Sequence, residues 1–363
     1  MDQGMAADHG RCSLSWGIAQ EQHNAKGRRR PVTSPPLRPE TIEKLNQAVN
    51  PSFAMVAGMQ LDVFTPLQDG PLRVEQLAEA LAVNLQKLRP LLYALVAAEL
   101  LTVQDERFAN TPEAAHFLVR GSPAYRGDTY EGRLMRWCAI LQTAETIRTG
   151  VPQAKVDYAA MPPEQLAAHY RGIHAEAVAA ARTLMARQDF SSARHLVDVG
   201  GGSGGLALTV AGAHLQLQAT VVDLATVTPI TQRYIDEAGL GERVGVMIAD
   251  AVQGPLSGAC DVAVLFRLLQ VLSPEQAHHV LRNVGQIVEP GGIIYIVGQM
   301  LDNSRLSPPE TVAGNLFFLN AFDEGQAYTE QEHRDWLADA GFAECERVIL
   351  PNKMSLMHAR KPR

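Results

Sequence analysis

Apolar and polar positions follow two different patterns along this chain of 363 residues, and they divide it into two halves. Between about residues 38 and 150 the apolar positions recur at the helical period, which predicts helices over 53–64, 74–81 and 85–100. Residues 101–110 favour a strand, a turn and a second strand. Three helices followed by a hairpin are typical of a winged helix, so we expect that arrangement in the N-terminal half.

Winged helices often bind DNA, but this one has little to bind it with. The third helix offers only Lys87 and Arg89 to phosphates, and the formal net charge of the chain is −7. A negative chain disfavours a broad nucleic-acid surface. The abundant Ala, Leu and Met favour an interface with a second copy of the chain instead. We therefore expect a dimerising module and no nucleic-acid partner.

The second half alternates short apolar runs with helical patterns, which is typical of an α/β domain. The later predicted strands are 219–224, 244–248, 260–265 and 293–297, followed by a pair at 346–350 and 353–359. Ser273 with Gln276, and Thr329 with Glu332, form capping boxes that predict two helix starts. A long helical pattern over 164–188 joins the two halves.

A strand that opens into glycines is the most informative stretch. Residues 195–205 read His-Leu-Val-Asp-Val-Gly-Gly-Gly-Ser-Gly-Gly and lead into a helical run, as in a nucleotide-binding strand–turn–helix. Glycines let the backbone turn tightly and approach a ligand closely. The spacing Gly-x-Gly-x-x-Gly from Gly200 fits the dinucleotide fingerprint. The spacing Asp-x-Gly-x-Gly-x-Gly from Asp198 fits the turn that binds S-adenosylmethionine (SAM) equally well, so the turn alone leaves both ligands open.

Carboxylates follow the next two strands. Asp223 ends the second strand about 20 residues past the glycines, where an acid accepts hydrogen bonds from ribose hydroxyls, although a capping or turn aspartate is the alternative. Asp250 follows the third strand and could accept from an adenine amine. The fourth strand brings Phe266 and Arg267 to the same edge of the sheet. Ligands bind at the carboxyl ends of such strands, so both residues are candidates for cofactor binding. The candidate cofactor-binding residues are Gly200, Gly201, Gly202, Asp223, Leu224, Asp250, Ala251, Phe266 and Arg267.

From about residue 40 to its end, the chain resembles the plant and bacterial small-molecule methyltransferases of the O-methyltransferase family 2 type. The residues that carry the resemblance are the motif at 196–204, Asp223, Asp250, the run 261–288, Pro290-Gly-Gly292 and the ending at 329–342. The resemblance implies SAM as the cofactor. It disfavours the dinucleotide interpretation, because dinucleotide domains do not carry this ending.

The same resemblance implies a fold and a division into domains. It implies a Rossmann-like catalytic domain with a mixed seven-stranded sheet and a mostly helical, winged-helix-like domain that forms homodimers. We expect a disordered arm over 1–38, the dimerisation domain over 39–150, linking helices that line the substrate pocket over 151–190, and the SAM-binding domain over 191–363. The resemblance also implies that the three glycines at 200–202 approach the methionine part of SAM, Asp223 the ribose, and Asp250 with Ala251 the adenine.

Four positions depart from the family's pattern. Gln270 stands where many O-methylating relatives have a histidine that acts as general base. Gly298 and Ala327 stand where plant relatives have two glutamates that flank this histidine. Phe266 stands where many relatives have a lysine, although its ring could still stack on adenine. Glutamine has no useful basicity, so Gln270 cannot take a proton as imidazole does.

The absence of a base at position 270 limits the kinds of acceptor atom that can be methylated. A positioned base contributes roughly 100- to 10,000-fold to a rate, whereas orientation alone can lower a barrier by roughly 7–11 kcal/mol. Methyl transfer to a carbon, a nitrogen or an acidic oxygen is therefore favoured, with Gln270 orienting the acceptor or acting only as a packing residue. Two alternatives stay open: a SAM-binding protein that performs decarboxylation, hydroxylation or a pericyclic reaction, and a catalytically silent dimer partner.

The acceptor itself is not encoded in any motif. The candidate substrate residues are Tyr170, His174, Phe317 and Asn320, and a satisfied core or rim histidine is the alternative for His174. Their largely aromatic character suggests a small planar or hydrophobic secondary metabolite. The four cysteines are scattered without metal spacing, so we expect reduced thiols and no metal site. No apolar run reaches transmembrane length and no secretion signal is evident, so we expect a cytoplasmic protein without a membrane partner.

Overall fold

The computed structural model describes residues 37–363, except for the side chains of residues 128–133 and 135. The predicted disordered arm lies outside the described residues apart from its last two. The first elements are the helices α1 (Glu40–Gln47), α2 (Val49–Gln60), α3 (Val74–Ala80), α4 (Leu85–Ala97) and α5 (Pro112–Phe117) and the strands β1 (Leu72–Arg73), β2 (Leu101–Gln104) and β3 (Arg107–Asn110). They are followed by α6 (Gly127–Ile140), α7 (Thr143–Thr149) and α8 (Pro163–Met185).

The N-terminal half has the winged-helix arrangement that the sequence predicts. Helix α4 begins at Leu85 because the Asn84 side chain accepts a hydrogen bond from the Lys87 N–H at 3.0 Å, and the helix continues through Pro90. Strands β2 and β3 form the wing, and β1 adds to its edge in the order β1-β3-β2. Fully buried Phe64 and Leu92 lie at the centre of the apolar core beneath these elements.

Strands and helices alternate in the second half. Its strands are β4 (His195–Val199), β5 (Gln218–Asp223), β6 (Val244–Ile248), β7 (Cys260–Phe266), β8 (Val288–Gly298), β9 (Met300–Leu301), β10 (Tyr328–Thr329), β11 (Ala343–Ile349) and β12 (Ser355–Arg360). Its helices are α9 (Gly205–Ala213), α10 (Thr228–Ala238), α11 (Pro274–Ile287), α12 (Pro309–Ala321) and α13 (Glu330–Asp339). Both predicted capping boxes are present, with Ser273 Oγ accepting from the Gln276 N–H at 3.1 Å and Thr329 Oγ1 accepting from the Glu332 N–H at 3.2 Å.

Seven strands form one mixed sheet in the order β11-β12-β8-β7-β4-β5-β6. Strand β4 lies parallel between β5 and β7, and the final pair β11–β12 joins antiparallel to β8. Two apolar clusters cover the two faces of this sheet, as expected for a largely parallel sheet with helices on both sides. The predicted Rossmann-like fold is confirmed. Because β4 is central, the turn that follows it opens at the middle of the sheet's carboxyl edge.

One strand begins earlier than the sequence predicts. Strand β8 starts at Val288 rather than at Ile293, so Pro290-Gly-Gly292 lies within it instead of ending the helix before it. The register with β7 shifts next to Cys260, which accommodates the extra residues as an irregularity in the pairing. Gly291 takes a left-handed φ of +84° and donates its N–H to the Lys361 carbonyl, so the glycines tie the strand start to the C-terminus.

Helix α8 packs its small and apolar face against α9, with Ala177, Ala181 and Leu184 buried. Its first turns thereby reach the glycine turn at the carboxyl edge of the sheet. Within residues 37–363, no helix combines the length and the apolar character needed to cross a bilayer.

Candidate cofactor and acceptor site

The glycine turn after β4 has a backbone that only glycine adopts without strain. Gly200, Gly202 and Gly204 have φ values of +66°, +58° and +71°. A Cβ on Gly201 would lie 2.7 Å from the Asp198 carboxyl carbon, and one on Gly202 would lie 2.4 Å from the Tyr170 ring. The left-handed backbone and this close packing together exclude side chains. The turn is held in place by its own N–H groups, with Gly200 donating to the Val222 carbonyl at 2.8 Å and Gly204 to the Gly201 carbonyl at 2.9 Å.

Asp198 supports this turn from below. It is fully buried, and its Oδ2 accepts a hydrogen bond from the Ala207 N–H in α9 at 3.3 Å. Burial raises the pKa of this carboxyl to about 7. No described residue bonds to its other oxygen, Oδ1. The motif aspartate thus connects the strand to the helix beneath the glycines.

Asp223 ties the end of β5 to the same turn. Its Oδ2 accepts from the Gly202 N–H and its Oδ1 from the Leu224 N–H, both at 2.8 Å. Burial raises the pKa of Asp223 to about 6, because the cost of desolvation exceeds the effect of the two N–H groups. Each carboxylate oxygen retains a further lone pair, so Asp223 can accept from two ribose hydroxyls while it holds Gly202 in place.

The remaining candidate cofactor residues lie along the same edge. Asp250 is exposed after β6 and accepts from the Val252 N–H at 2.9 Å, while the carbonyl of Ala251 is held by Asn283 Nδ2 at 2.9 Å. Phe266 is buried at the end of β7. Arg267 follows it with a φ of +57°.

The Arg267 guanidinium forms an ion pair with Glu176 of α8. This pair joins the carboxyl end of β7 to the helix that connects the two halves. The pair fixes α8 against the edge of the sheet where the glycine turn lies.

These residues fit SAM. The turn carries no side chain at 200–202, so its backbone is available for close approach. The buried carboxylate of Asp223 keeps acceptor capacity that ribose hydroxyls could use, and the exposed carboxylate of Asp250 is a further acceptor on the same edge. SAM carries no phosphate, so none of these residues has to bind one.

Gln270 is held away from the open edge. It is 4% exposed, within a short turn of 3₁₀ helix at 269–271, and its Oε1 accepts from the Gln299 N–H at 3.0 Å. A Cβ on Gly298 would lie 2.6 Å from this same oxygen. The two departures from the family pattern are therefore coupled: glycine at 298 makes the room into which the Gln270 amide folds.

Two of the candidate substrate residues contact the cofactor turn. The Tyr170 ring lies directly on Gly202. His174 Nδ1 is 2.9 Å from Ser203 Oγ, and its ring stacks on Tyr234 with a centroid separation of 4.1 Å. His174 is therefore part of the packing that holds the glycine turn against α8 and α10.

The other two candidate substrate residues lie on α12. Asn320 is fully buried, its Oδ1 accepts from Thr146 Oγ1 at 2.6 Å, and its Nδ2 donates to Thr143 Oγ1 at 2.9 Å. Its amide groups are occupied by α7, so it joins two helices. Phe317 lies beneath the Arg136 guanidinium of α6, 4.9 Å from the ring centroid.

Sequence reasoning missed two aromatic residues at this site. Tyr158, in the segment before α8, has its ring centroid 5.3 Å from that of His169, 6.3 Å from Tyr170 and 6.4 Å from Phe322. No motif marks Tyr158, because only the folded chain brings this segment over the sheet edge. A signal for His169 was available: it lies beside Tyr170 and seven residues, or two helical turns, before Glu176.

The charge state of this cluster follows from its burial. Burial and the positive charge of Arg267 both lower the pKa of His169, so its imidazole is neutral at neutral pH. Burial raises the pKa of Tyr158 to about 12 and also raises that of Tyr170, so both phenols stay protonated. The aromatic wall is thus uncharged, and Arg267 with its partner Glu176 supplies the only ionised pair that we identify beside it among the described side chains.

Comparison with known proteins agrees with this geometry. The O-methyltransferase domain model matches residues 148–343, more than half of the chain, and the O-methyltransferase dimerisation domain model matches residues 44–120. The chain is 29% identical over 331 residues to the tetracenomycin polyketide synthesis 8-O-methyl transferase TcmO of Streptomyces glaucescens, covering 90% of this chain and 97% of that one. It is 29% identical over 303 residues to the 3-hydroxy-5-methyl-1-naphthoate 3-O-methyltransferase of Streptomyces sahachiroi, covering 81% and 86%.

A solved structure gives the same result for the fold. Human N-acetylserotonin methyltransferase in complex with SAM superimposes with a TM-score of 0.76 at 21% identity, over 89% of this chain and 97% of that one. At that identity the likeness concerns the fold alone. The family model carries the assignment: this chain belongs to the O-methyltransferase family, and it is a SAM-dependent methyltransferase of the kind that acts in secondary metabolism.

Proposed function

We propose that this protein transfers a methyl group from SAM to an acidic hydroxyl of a small planar aromatic molecule. The observation that carries the proposal is the engagement of Gln270: its amide oxygen is bound to the Gln299 N–H, and no base stands at that position. An acceptor that ionises readily needs the least help there. The two Streptomyces relatives described above favour oxygen, since both are O-methyltransferases by name, whereas the N,N-dimethyltransferase OxyT of Streptomyces rimosus, 27% identical over 335 residues, is a precedent for nitrogen.

SAM supplies a methyl group on a positively charged sulfur, which is already an activated electrophile. The task of the chain is therefore to orient it. Asp223 holds the Gly202 N–H and accepts from the ribose, and Asp250 with Ala251 meets the adenine, beside Phe266. Orientation of this kind can lower a barrier by roughly 7–11 kcal/mol, which is larger than the contribution of a base.

The aromatic wall favours a flat acceptor. The centroid of the Tyr158 ring lies 6.3 Å from that of Tyr170 and 6.4 Å from that of Phe322, so Tyr158 is the middle ring of the three. Such rings bind a planar molecule by stacking. In this proposal Phe317 belongs to the outer part of the wall, whereas His174 and Asn320 act by packing rather than by contact with the acceptor.

A second copy of the chain completes the assembly that we propose. Apolar side chains of α1 and α2 are exposed in the single chain: Ile42 is 71% exposed, Leu45 67% and Phe53 48%. Large exposed apolar patches mark protein interfaces, and these residues lie in or beside the stretch that matches the dimerisation domain. The N-terminal half would thus bring two catalytic halves together as a homodimer.

Product mass tests the proposal. The purified protein is incubated with SAM and a panel of hydroxynaphthoates and simple naphthols of graded acidity, with matched aromatic alcohols and amines. We expect products heavier by one methylene, formed faster from the more acidic phenols. Efficient methylation of an unactivated alcohol contradicts the proposal, and so does a changed product without an added methylene. Cofactor binding without any product indicates a catalytically silent dimer partner.

A further inference from the structure

His169 carries a nitrogen that nothing in the described chain satisfies. Its Nε2 is buried, and among residues 37–363 no group forms a hydrogen bond with it. Buried polar atoms in folded proteins are nearly always paired with protein or water. This atom has almost no accessible surface here, so a partner can bond to it only after a neighbouring ring moves, and an unpaired nitrogen at this edge points to such a partner during turnover.

The surroundings of His169 place it between the cofactor and the aromatic wall. On one side, the adjacent Tyr170 lies on Gly202 of the cofactor turn. On the other, Tyr158 stands between His169 and Phe322, with ring centroids 5.3 Å and 6.4 Å away.

The helix itself directs His169 toward the end of β7. Two turns further along the same face of α8, Glu176 pairs with Arg267, the residue that follows β7. His169 thus shares a face of α8 with Glu176, the residue that contacts the end of β7.

We infer that Nε2 of His169 is the acceptor for the proton of the methylated hydroxyl, in place of the histidine that stands at position 270 in many relatives. This inference rests on the proposed function. The imidazole would carry its proton on Nδ1 and present the lone pair of Nε2. The acceptor oxygen bonds to the methyl carbon as the carbon–sulfur bond breaks with its electron pair left on sulfur. The proton of the hydroxyl passes to Nε2 and then to solvent.

The charges around His169 suit an acidic hydroxyl. The groups that face it are the phenols of Tyr158 and Tyr170, both protonated, and the guanidinium of Arg267 with its partner Glu176. Burial and the charge of Arg267 lower the pKa of the imidazole, which favours the unprotonated form that can accept a proton. The same positive charge stabilises a developing phenolate. The base is thus weak but available, which matches an acceptor that ionises easily.

The test compares His169→Gln with His279→Gln, a substitution of an exposed histidine on α11. Glutamine keeps a hydrogen-bonding group but cannot take a proton. With a weakly acidic naphthol we expect kcat to fall roughly 100-fold or more in His169→Gln, with the SAM dissociation constant unchanged. With a nitrophenol that is already ionised, the loss should be less than about threefold. The acid limb of the pH–rate profile should disappear only in this variant.

Three results overturn the inference: an unchanged rate in His169→Gln, an equal loss with both acceptors, or weakened SAM binding that accounts for the loss. The proposed function fails separately, if the unmodified protein methylates no phenol. In that case nitrogen-15 NMR of the imidazoles, with S-adenosylhomocysteine and a hydroxynaphthoate added, still tests the contact between His169 Nε2 and the phenol. A shift of the His169 Nε2 signal on addition of the phenol supports it, and no shift contradicts it.

Discussion

The two sides of the active edge are built differently. On the cofactor side, the glycine turn at 200–204 is held by the neighbouring strand, where the Val222 carbonyl accepts from the Gly200 N–H and Asp223 from the Gly202 N–H. On the acceptor side, the groups come from five separate places: the segment before α8, α8 itself, the turn after β7, the end of β8 and the end of α12. The glycine turn is a local motif, whereas the acceptor side exists only through tertiary packing. Substitutions should therefore damage the first sharply and rearrange the second.

The largest effect is expected from removal of Asp223. Asp223→Ala removes the acceptor for ribose hydroxyls and frees the Gly202 N–H, which it holds at 2.8 Å. Hydrogen bonds to charged groups contribute about 1.5–3 kcal/mol each, so the SAM dissociation constant should rise roughly 100-fold. Calorimetric titration measures this dissociation constant, and Glu237→Ala, at an exposed position of α10, is the control. An unchanged affinity would show that the glycine turn alone defines the cofactor side.

A smaller effect, on stability rather than on activity, is expected from Asn320. Asn320→Ala leaves the hydroxyls of Thr146 and Thr143 without their partner in a buried contact. We expect the free energy of unfolding to fall by about 1–3 kcal/mol, as measured by urea denaturation. The KM for a phenolic acceptor should stay within about threefold. A large rise in KM with little change in stability would instead place Asn320 in the acceptor site.

The smallest effect concerns pH. The pKa of Asp223 is raised to about 6, so the carboxyl is ionised at pH 7.5 and becomes protonated as the pH falls below 6. The protonated form is a weaker acceptor for ribose hydroxyls, so SAM affinity should fall by less than about tenfold between pH 7.5 and pH 5. Titrations across this range provide the measurement. In Asp223→Asn the affinity should be lower and nearly independent of pH; a variant that keeps the full dependence assigns it to another group.

The sequence predicts the cofactor side because backbone conformation dictates residue type there. Left-handed φ values at Gly200 and Gly202 require glycine, and the acid at 223 follows one strand later. Strand β8 shows a limit of this local reasoning, since Pro290 and its glycines look like a stop but are absorbed by pairing with β7 and the C-terminus. Hydrogen bonds between segments that are distant in sequence cannot be predicted from a local sequence pattern.

The acceptor side could be predicted only in outline. Resemblance to the family identified 270 and 298 as unusual, but their coupling through the Gln299 N–H appears only in the fold. Tyr158 carries no motif, because its role depends on a connecting segment that folds over the sheet edge, and the helical spacing of His169 from Glu176 gains meaning only once Glu176 is seen to pair with Arg267. Residues chosen for aromatic or polar character, such as His174 and Asn320, turned out to be bonded to Ser203 and Thr146.

In the proposed reaction His169 of α8 takes the proton of the acceptor, and position 270 does not. The most direct measurement compares single-turnover methylation of one weakly acidic naphthol by Gln270→Ala and His169→Gln, each saturated with SAM. We predict that Gln270→Ala stays within about threefold of the unmodified protein, because its amide oxygen serves the backbone of Gln299, while His169→Gln falls roughly 100-fold. The reverse order, with Gln270→Ala slow and His169→Gln fast, would show that position 270, and not His169, assists the transfer.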